Sequence, residues 1–346
     1  MNQDTTYIVL LNWNGWRDTV ACLDSIFGLR NSRFRVVVCD NDSSDNSLHH
    51  IRAWCRGKTA AEQPGDARLR ALVSGQKLER PCLSLTASQI AAGTFYDSGE
   101  PVILIDNEAN LGFAAGNNTG LRYALGQDDM SHVWLLNNDT LVEPDSLSAM
   151  LKRLERESAS AACGSMIHFF DNPALIQAIG GNRFNPRTGV ARQSEGRFLP
   201  EHQLPDIADI ENTLDYLSGC SILLPAALLK RVGLLNESYF LYYEEIDWFS
   251  RAGTGVKRCV AEDARIYHRE GGSIGSPSLR NARPSLVADF HIFRSKHMFM
   301  QAFYPENLFS CYLSSALEVA KRVLRGQFRN ARVVLAAMFG AKSLPG

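Results

Sequence analysis

The chain has 346 residues, 45% hydrophobic and 21% charged, with 36 Lys+Arg against 37 Asp+Glu. This length can bury a sizeable core, and the near-zero net charge excludes the basic balance of a general nucleic-acid binder. The eight cysteines (Cys22, Cys39, Cys55, Cys82, Cys163, Cys220, Cys259 and Cys311) are scattered without a CxxC pair. That pattern predicts reduced thiols in a cytoplasmic protein, not a disulfide framework or a zinc site. The apolar run at 7–11 is broken by Asn12 and lacks the basic flank of a secretory leader. No stretch reaches the ~20 apolar residues of a spanning helix.

Residues 7–11 predict a strand, ended by the turn formers Asn12-Trp13-Asn14-Gly15. Residues 18–29 follow with helical spacing of Val20, Leu23, Ile26 and Phe27. The Val-rich run 34–39 predicts a parallel strand buried on both faces. A polar loop, Asp40-Asn41-Asp42-Ser43-Ser44-Asp45, leads into a helix at 47–54. Residues 56–100, rich in Gly, Pro, Ala and Ser, read as an insertion. A strand at 101–105, a glycine-led helix at 112–125, a strand at 132–136, a helix at 145–156 and a strand at 161–170 come next. Residues 180–212 are loop-rich. A strand at 216–224, helices at 226–232 and 244–252, a strand at 256–260 and a loop at 268–275 complete this part. From 285 onward the chain is helical and basic, with amphipathic stretches at 308–324 and 331–339. The order predicts an α/β fold, an open and mostly parallel sheet flanked by helices in Rossmann-like fashion, with a C-terminal helical extension.

Five places carry candidate chemistry. Asp40 ends the second strand, where ligands bind open parallel sheets, and its carboxylate suits a nucleobase N–H or a ribose hydroxyl; an Asx-turn explains it equally well. The segment from Asn110 through Gly112, Phe113 and Asn117 to Asn118 opens a helix with small residues. It permits close approach by a phosphate or is a tight turn. Asn137-Asn138-Asp139 emerges from a buried strand, and Asp139 suits Mg2+ or Mn2+, hard cations that share substrate phosphates; a polar strand cap is the alternative. In Tyr243-Glu244-Glu245-Ile246-Asp247-Trp248, crowded carboxylates raise one another's pKa toward a general base, or form the acidic first turn of a helix. His268, beside the glycine turn Gly271-Gly272, is a candidate metal ligand.

Taken in order, Val9-Leu10-Leu11-Asn12-Trp13-Asn14-Gly15, Cys39-Asp40-Asn41-Asp42-Ser43-Ser44-Asp45, the 110–118 segment, Leu135-Leu136-Asn137-Asn138-Asp139-Thr140 and the 239–247 segment resemble family 2 of the nucleotide-sugar glycosyltransferases. The rhamnosyltransferase-like subgroup is the most similar. The resemblance spans about residues 5–300 apart from the insertion. It implies a GT-A catalytic domain over 1–284, with residues 285–346 as a separate helical region. It implies a nucleotide-binding edge of Asn12, Asn14, Asp40, Asn41, Asn110, Gly112, Phe113, Asn117 and Asn138. Asp139 and His268 would hold Mg2+ or Mn2+, in a DxD position whose first acid is replaced by Asn137. Glu245 would be the base, with Glu244 and Asp247 binding acceptor or orienting it.

The implied function is inverting transfer of a sugar, rhamnose among the candidates, from a nucleotide-diphospho-sugar to a glycan or lipid-linked acceptor in bacterial surface polysaccharide synthesis. A non-catalytic nucleotide- or glycan-binding protein of the same fold is the alternative, and a sugar nucleotidyltransferase ranks lower. The basic helices over 308–340 are expected either at the cytoplasmic membrane surface, making the protein peripheral, or packed on the catalytic domain or on a second subunit of a homodimer. No nucleic-acid partner is expected.

Overall fold

The computed structural model describes residues 4–97, 99–158, 160–193, 195–269 and 285–344. Its strands are β1 (Thr5–Asn12), β2 (Phe34–Asp40), β3 (Cys82–Thr86), β4 (Val102–Asp106), β5 (Met130–Leu136), β6 (Thr140–Val142), β7 (Ala161–Phe169), β8 (Ile176–Ile179), β9 (Gly181–Asn185), β10 (Val190–Gln193), β11 (Tyr216–Leu217), β12 (Ser221–Pro225) and β13 (Lys257–His268). The main sheet runs β3-β4-β2-β1-β5-β12-β7-β13-β6, with β8 paired to β7, and β10-β9-β11 form a small second sheet. The first five are parallel. β12 then runs antiparallel between β5 and β7.

Alternation along β1 and β2 divides the core. Tyr7, Val9, Val37 and Cys39 face one layer, with the helix Gly112–Leu125. Ile8, Leu10, Val36 and Val38 face the other, with the helices Trp16–Ile26 and Ser47–Cys55. Such two-sided burial is why these strands read as continuous apolar runs. From β1 the chain moves outward through β2 to the edge strand β3, steps back to β4, and then crosses to place β5 on β1's other side. The ends of β1 and β5 therefore flank the switch point of the sheet, where a crevice opens.

The structure revises three expectations. The 56–100 insertion supplies β3, a parallel edge strand on β4, and the capped helix Ala87–Ala92. The strand expected over 216–224 is two strands in different sheets, broken at Ser218-Gly219-Cys220. The strand expected to end at 260 continues through a bulge, so His268 is its last residue and not part of a loop. The glycine turn after it lies outside the described residues.

The C-terminal region forms the helices Leu286–Phe303, Leu308–Leu324 and Phe328–Met338. Phe299 and Met300 of the first enter the main core. Phe290 and Phe293 join Val333, Val334 and Met338 in a small core of their own.

Candidate active site

Asn12, Asp40 and Asp106 lie in one row across the C-terminal ends of β1, β2 and β4. Asn12 Nδ2 donates to Asp40 Oδ2 at 2.6 Å, and Ser43 donates to the same carboxylate through its backbone N–H and its hydroxyl. Burial pushes the Asp40 pKa up, against those hydrogen bonds. The Asx-like turn and the strand-end carboxylate are thus one arrangement. Asn14, at positive φ, accepts from the Ser44 backbone N–H through its side chain, and its own backbone N–H donates to Ser43 Oγ.

Across the switch point, Asn138 Nδ2 donates to Thr19 Oγ1 (2.8 Å) and Asn12 Oδ1 (3.3 Å), and Thr19 Oγ1 donates to Asn12 Oδ1 (2.7 Å). Asn138 thereby ties the end of β5 to the end of β1. Its neighbours in the triplet are left partly accessible.

Asp139 and His268 meet. His268 Nε2 lies 3.2 Å from Asp139 Oδ1, with the two side chains 13% and 12% exposed. Gln177 Oε1 stands 3.0 Å from His268 Nδ1 and orients the ring from behind, the kind of support that fixes a ligating imidazole. Burial opposes protonation of His268, but Cys220 and Asp139 outweigh it and raise its pKa well above the ordinary value. A separation of 3.2 Å also suits two neighbouring ligands of one octahedral ion, which at about 2.1 Å per bond sit roughly 3 Å apart. No cluster of three His, Cys, Asp or Glu side chains occurs among the described residues.

The glycine-led segment is built for close packing. A Cβ on Gly112 would lie 2.3 Å from the Phe240 carbonyl oxygen, and one on Gly116 would meet Leu11 and Asn41. Gly112 also has φ +78°, which favours glycine. The Phe113 N–H donates to Phe240 O at 2.7 Å. Asn41 donates to Gly112 O and accepts from Asn107, Asn110 accepts from the Gly112 N–H, and Asn117 donates to Phe113 O. The small residues therefore serve backbone approach to the 239–247 segment and the sheet.

That segment is strained ahead of its helix. Tyr242 and Tyr243 both have positive φ, 66° and 73°, which costs on the order of 1–3 kcal/mol each for bulky residues. Tyr243 is held by a hydrogen bond to Gly189 O and by Phe299. The helix Glu244–Ala252 follows. Glu244 is buried, and its Oε2 has no hydrogen-bond partner among the described residues. Burial, then the adjacent Glu245, raise its pKa well above the carboxylate range. Glu245 is half-buried, accepts the Gly219 N–H at 3.0 Å, and has a pKa raised by burial. Asp247 stands apart: Arg251 Nε and Asn236 Nδ2 bind its two oxygens, anchoring the helix to the turn before it.

One tripeptide joins these groups. The Asn137 N–H donates to Cys220 O, Cys220 adjoins His268, and the Gly219 N–H holds Glu245. Ser218-Gly219-Cys220 is the part of the candidate site that sequence reasoning missed. Its signal is a glycine inside an apolar strand run, which marks close approach by other groups. Here a Cβ would sit 2.0 Å from Glu245 Oε1. A polar cavity of about 240 Å3 opens beside Asp139, lined also by Arg17, Asp18, Glu62 and Arg269. Asp18 pairs with Arg269 and Glu62 with Arg17.

The mostly parallel sheet flanked by helices is a GT-A-type fold. The chain matches the Glycosyl transferase family 2 profile over residues 87–221. It is 27% identical over 174 residues to the low-salt glycan biosynthesis hexosyltransferase Agl10 of Haloferax volcanii, covering 48% of this chain and 52% of that protein. It is 27% identical over 197 residues to the N-acetylglucosaminyl-diphospho-decaprenol L-rhamnosyltransferase of Mycobacterium tuberculosis, covering 50% and 61%. The matches thus span little more than half of these relatives. In fold it is similar to GalNAc-T7, solved with UDP, GalNAc and Mn2+, with TM-score 0.52, 14% identity, and coverage of 87% of this chain and 52% of that one.

Proposed function

We propose that the chain is an inverting glycosyltransferase that moves a sugar, rhamnose being the first candidate, from a nucleotide-diphospho-sugar to a hydroxyl of a glycan or lipid-linked acceptor at the cytoplasmic face of the membrane, in bacterial surface polysaccharide synthesis. The observation that carries this reading is the Ser218-Gly219-Cys220 tripeptide, which sets a carboxylate of raised pKa (Glu245) beside the Asp139–His268 pair. Base and leaving-group ends of a displacement need that adjacency. The rhamnosyltransferase relative supports the choice of sugar and acceptor class.

Glu245 takes the proton of the acceptor hydroxyl. The acceptor oxygen forms its bond to the anomeric carbon from the face opposite the diphosphate, and the bond from that carbon to the diphosphate oxygen breaks. One displacement inverts the configuration. Glu244, whose pKa burial raises well above the carboxylate range, borders the base. Asp40, Asn12, Asn14, Asn41 and Asn138, with the Asn110, Gly112, Phe113 and Asn117 segment, frame the nucleotide. Asp247 acts through the helix it anchors. Asp139 and His268 would hold Mg2+ or Mn2+, whose chemistry is to neutralise charge on the departing diphosphate. Arg17 and Arg269, in the cavity beside Asp139, are further candidates for the diphosphate.

The test is nucleotide release from a panel of nucleotide-sugars with and without Mg2+ or Mn2+. Metal-stimulated release is expected in the native chain. Glu245→Gln should lower transfer by about a thousandfold, the scale of a lost general base, with donor binding kept. Asp139→Ala should lose metal-dependent nucleotide binding. Turnover surviving in Glu245→Gln, or unaltered metal-dependent binding in Asp139→Ala, would remove the corresponding assignment.

A further inference from the structure

The helix Leu308–Leu324 buries only Cys311 and Ser315. Its outer face carries Phe309, Leu313, Leu317 and Leu324, the first and last 83% and 87% exposed. Their spacing of four, four and seven residues puts them on one stripe of a helix. The chain then turns at Gly326 and returns as the helix Phe328–Met338. Its outward positions include Phe328, Leu335 and Phe339, separated by seven and four residues, with Phe339 77% exposed. The two helices run antiparallel: Tyr312 near the start of one donates to Met338 O at the end of the other and stacks on Phe339. The hairpin therefore presents apolar side chains along its whole length.

Charge decides what covers this surface. Residues 308–344 hold six Lys/Arg and one acid, Glu318. Glu318 is already bound to Lys321 and Arg322, and Arg322 also to Asp289. Arg325, Arg329 and Arg332 are exposed, and no carboxylate pairs with them among the described residues. A second copy docked hairpin on hairpin would bring the same cations and, in Glu318, an acid that is already paired. An anionic lipid surface supplies both a hydrophobic layer for the stripe and phosphates for the arginines.

We propose that the helical hairpin 308–339 is a membrane-surface docking element that lies in the headgroup region of anionic bilayers. Phe309, Leu313, Leu317, Leu324, Phe328 and Phe339 enter the acyl boundary, and Arg325, Arg329 and Arg332 bind lipid phosphates. The element is separate from the catalytic groups, so its test does not depend on turnover.

The experiment is co-sedimentation of the full chain with vesicles of phosphatidylcholine alone or with added phosphatidylglycerol, at low and high salt, with light scattering on the free protein. Binding is expected to the anionic vesicles and to weaken with salt. Leu313→Asp with Leu317→Asp should lower the bound fraction about tenfold or more, because it removes two apolar side chains from the buried stripe. Arg325→Glu with Arg329→Glu should abolish the preference for anionic vesicles. Both pairs are at exposed positions, and thermal melts should match the native chain. Equal partitioning with neutral and anionic vesicles, or unchanged binding in both variants, overturns the proposal. So does a dimer that Leu313→Asp with Leu317→Asp dissociates while no vesicle binding is seen.

Discussion

Glu244 and Glu245 are adjacent in sequence but meet different surroundings. Glu245 has a fixed donor in the Gly219 N–H, whereas Glu244 is buried with one carboxylate oxygen unpartnered. A buried polar atom in that state costs about 1–3 kcal/mol, and strain and cost of this kind collect at functional sites. The pH dependence has a definite sign. The folded pKa of Glu244 is raised above the unfolded value, so between the two the folded state binds the extra proton. Stability therefore falls as pH rises from the unfolded value, about 4.3, toward the raised one. Glu244→Gln, neutral at every pH, should stabilise the fold by about 1 kcal/mol or more at pH 8. The gain should vanish near pH 4. Urea unfolding at the two pH values measures it, and a gain equal at both would show that the carboxylate charge is not its source.

At the scale of elements, much of the architecture was legible because each piece carries its own signal. The helix Glu244–Ala252 appears where its apolar spacing and acidic first turn place it. The parallel strands β1, β2 and β4 appear where continuous Val and Ile runs fall. What stayed hidden depends on partners far along the chain. β3 is a strand because β4 offers an open edge to residues of weak intrinsic preference. The break between β11 and β12 exists because Glu245, 26 residues on, occupies the space beside Gly219. The same long-range cause hid that the 110–118 glycines also seat Phe240 and the sheet, whereas Asp247 is engaged locally, by Arg251 one turn on and by Asn236 of the preceding turn. Gly219→Ala isolates the element's role. Its Cβ forces Glu245 aside, and a displacement of about 1 Å can cost a hundredfold in rate. Turnover should fall by about that factor while donor affinity and the melting temperature hold. A variant with native turnover would mean that the Gly219 contact does not position the base.

Over the whole molecule, the C-terminal helices and the acidic pair are mechanically connected. Phe299 and Met300 of the helix Leu286–Phe303, beyond the boundary expected at 284, lie in the main core. Phe299 packs against Tyr243 at 5.7 Å between ring centroids and edge-on against Phe184 of β9 at 5.2 Å. Tyr243 holds a positive φ directly before Glu244, a conformation that persists only while its surroundings enforce it. The helix thus supplies part of the force that keeps the N-terminus of Glu244–Ala252 in place. Phe299→Ala should destabilise the fold by about 3–5 kcal/mol, the usual cost of removing a buried Phe. It should also let Tyr243 relax toward negative φ and carry Glu244 and Glu245 with it. Turnover should then drop more than the folded fraction does, at a temperature where the variant remains folded. Phe299→Leu, which keeps most of the volume, should recover both properties in large part. Urea unfolding and turnover measured on the same samples separate the two effects. If Phe299→Ala loses stability but keeps native turnover per folded molecule, the helix is a packing partner alone, and the strain at Tyr243 is maintained by Gly189 and the strands beneath it.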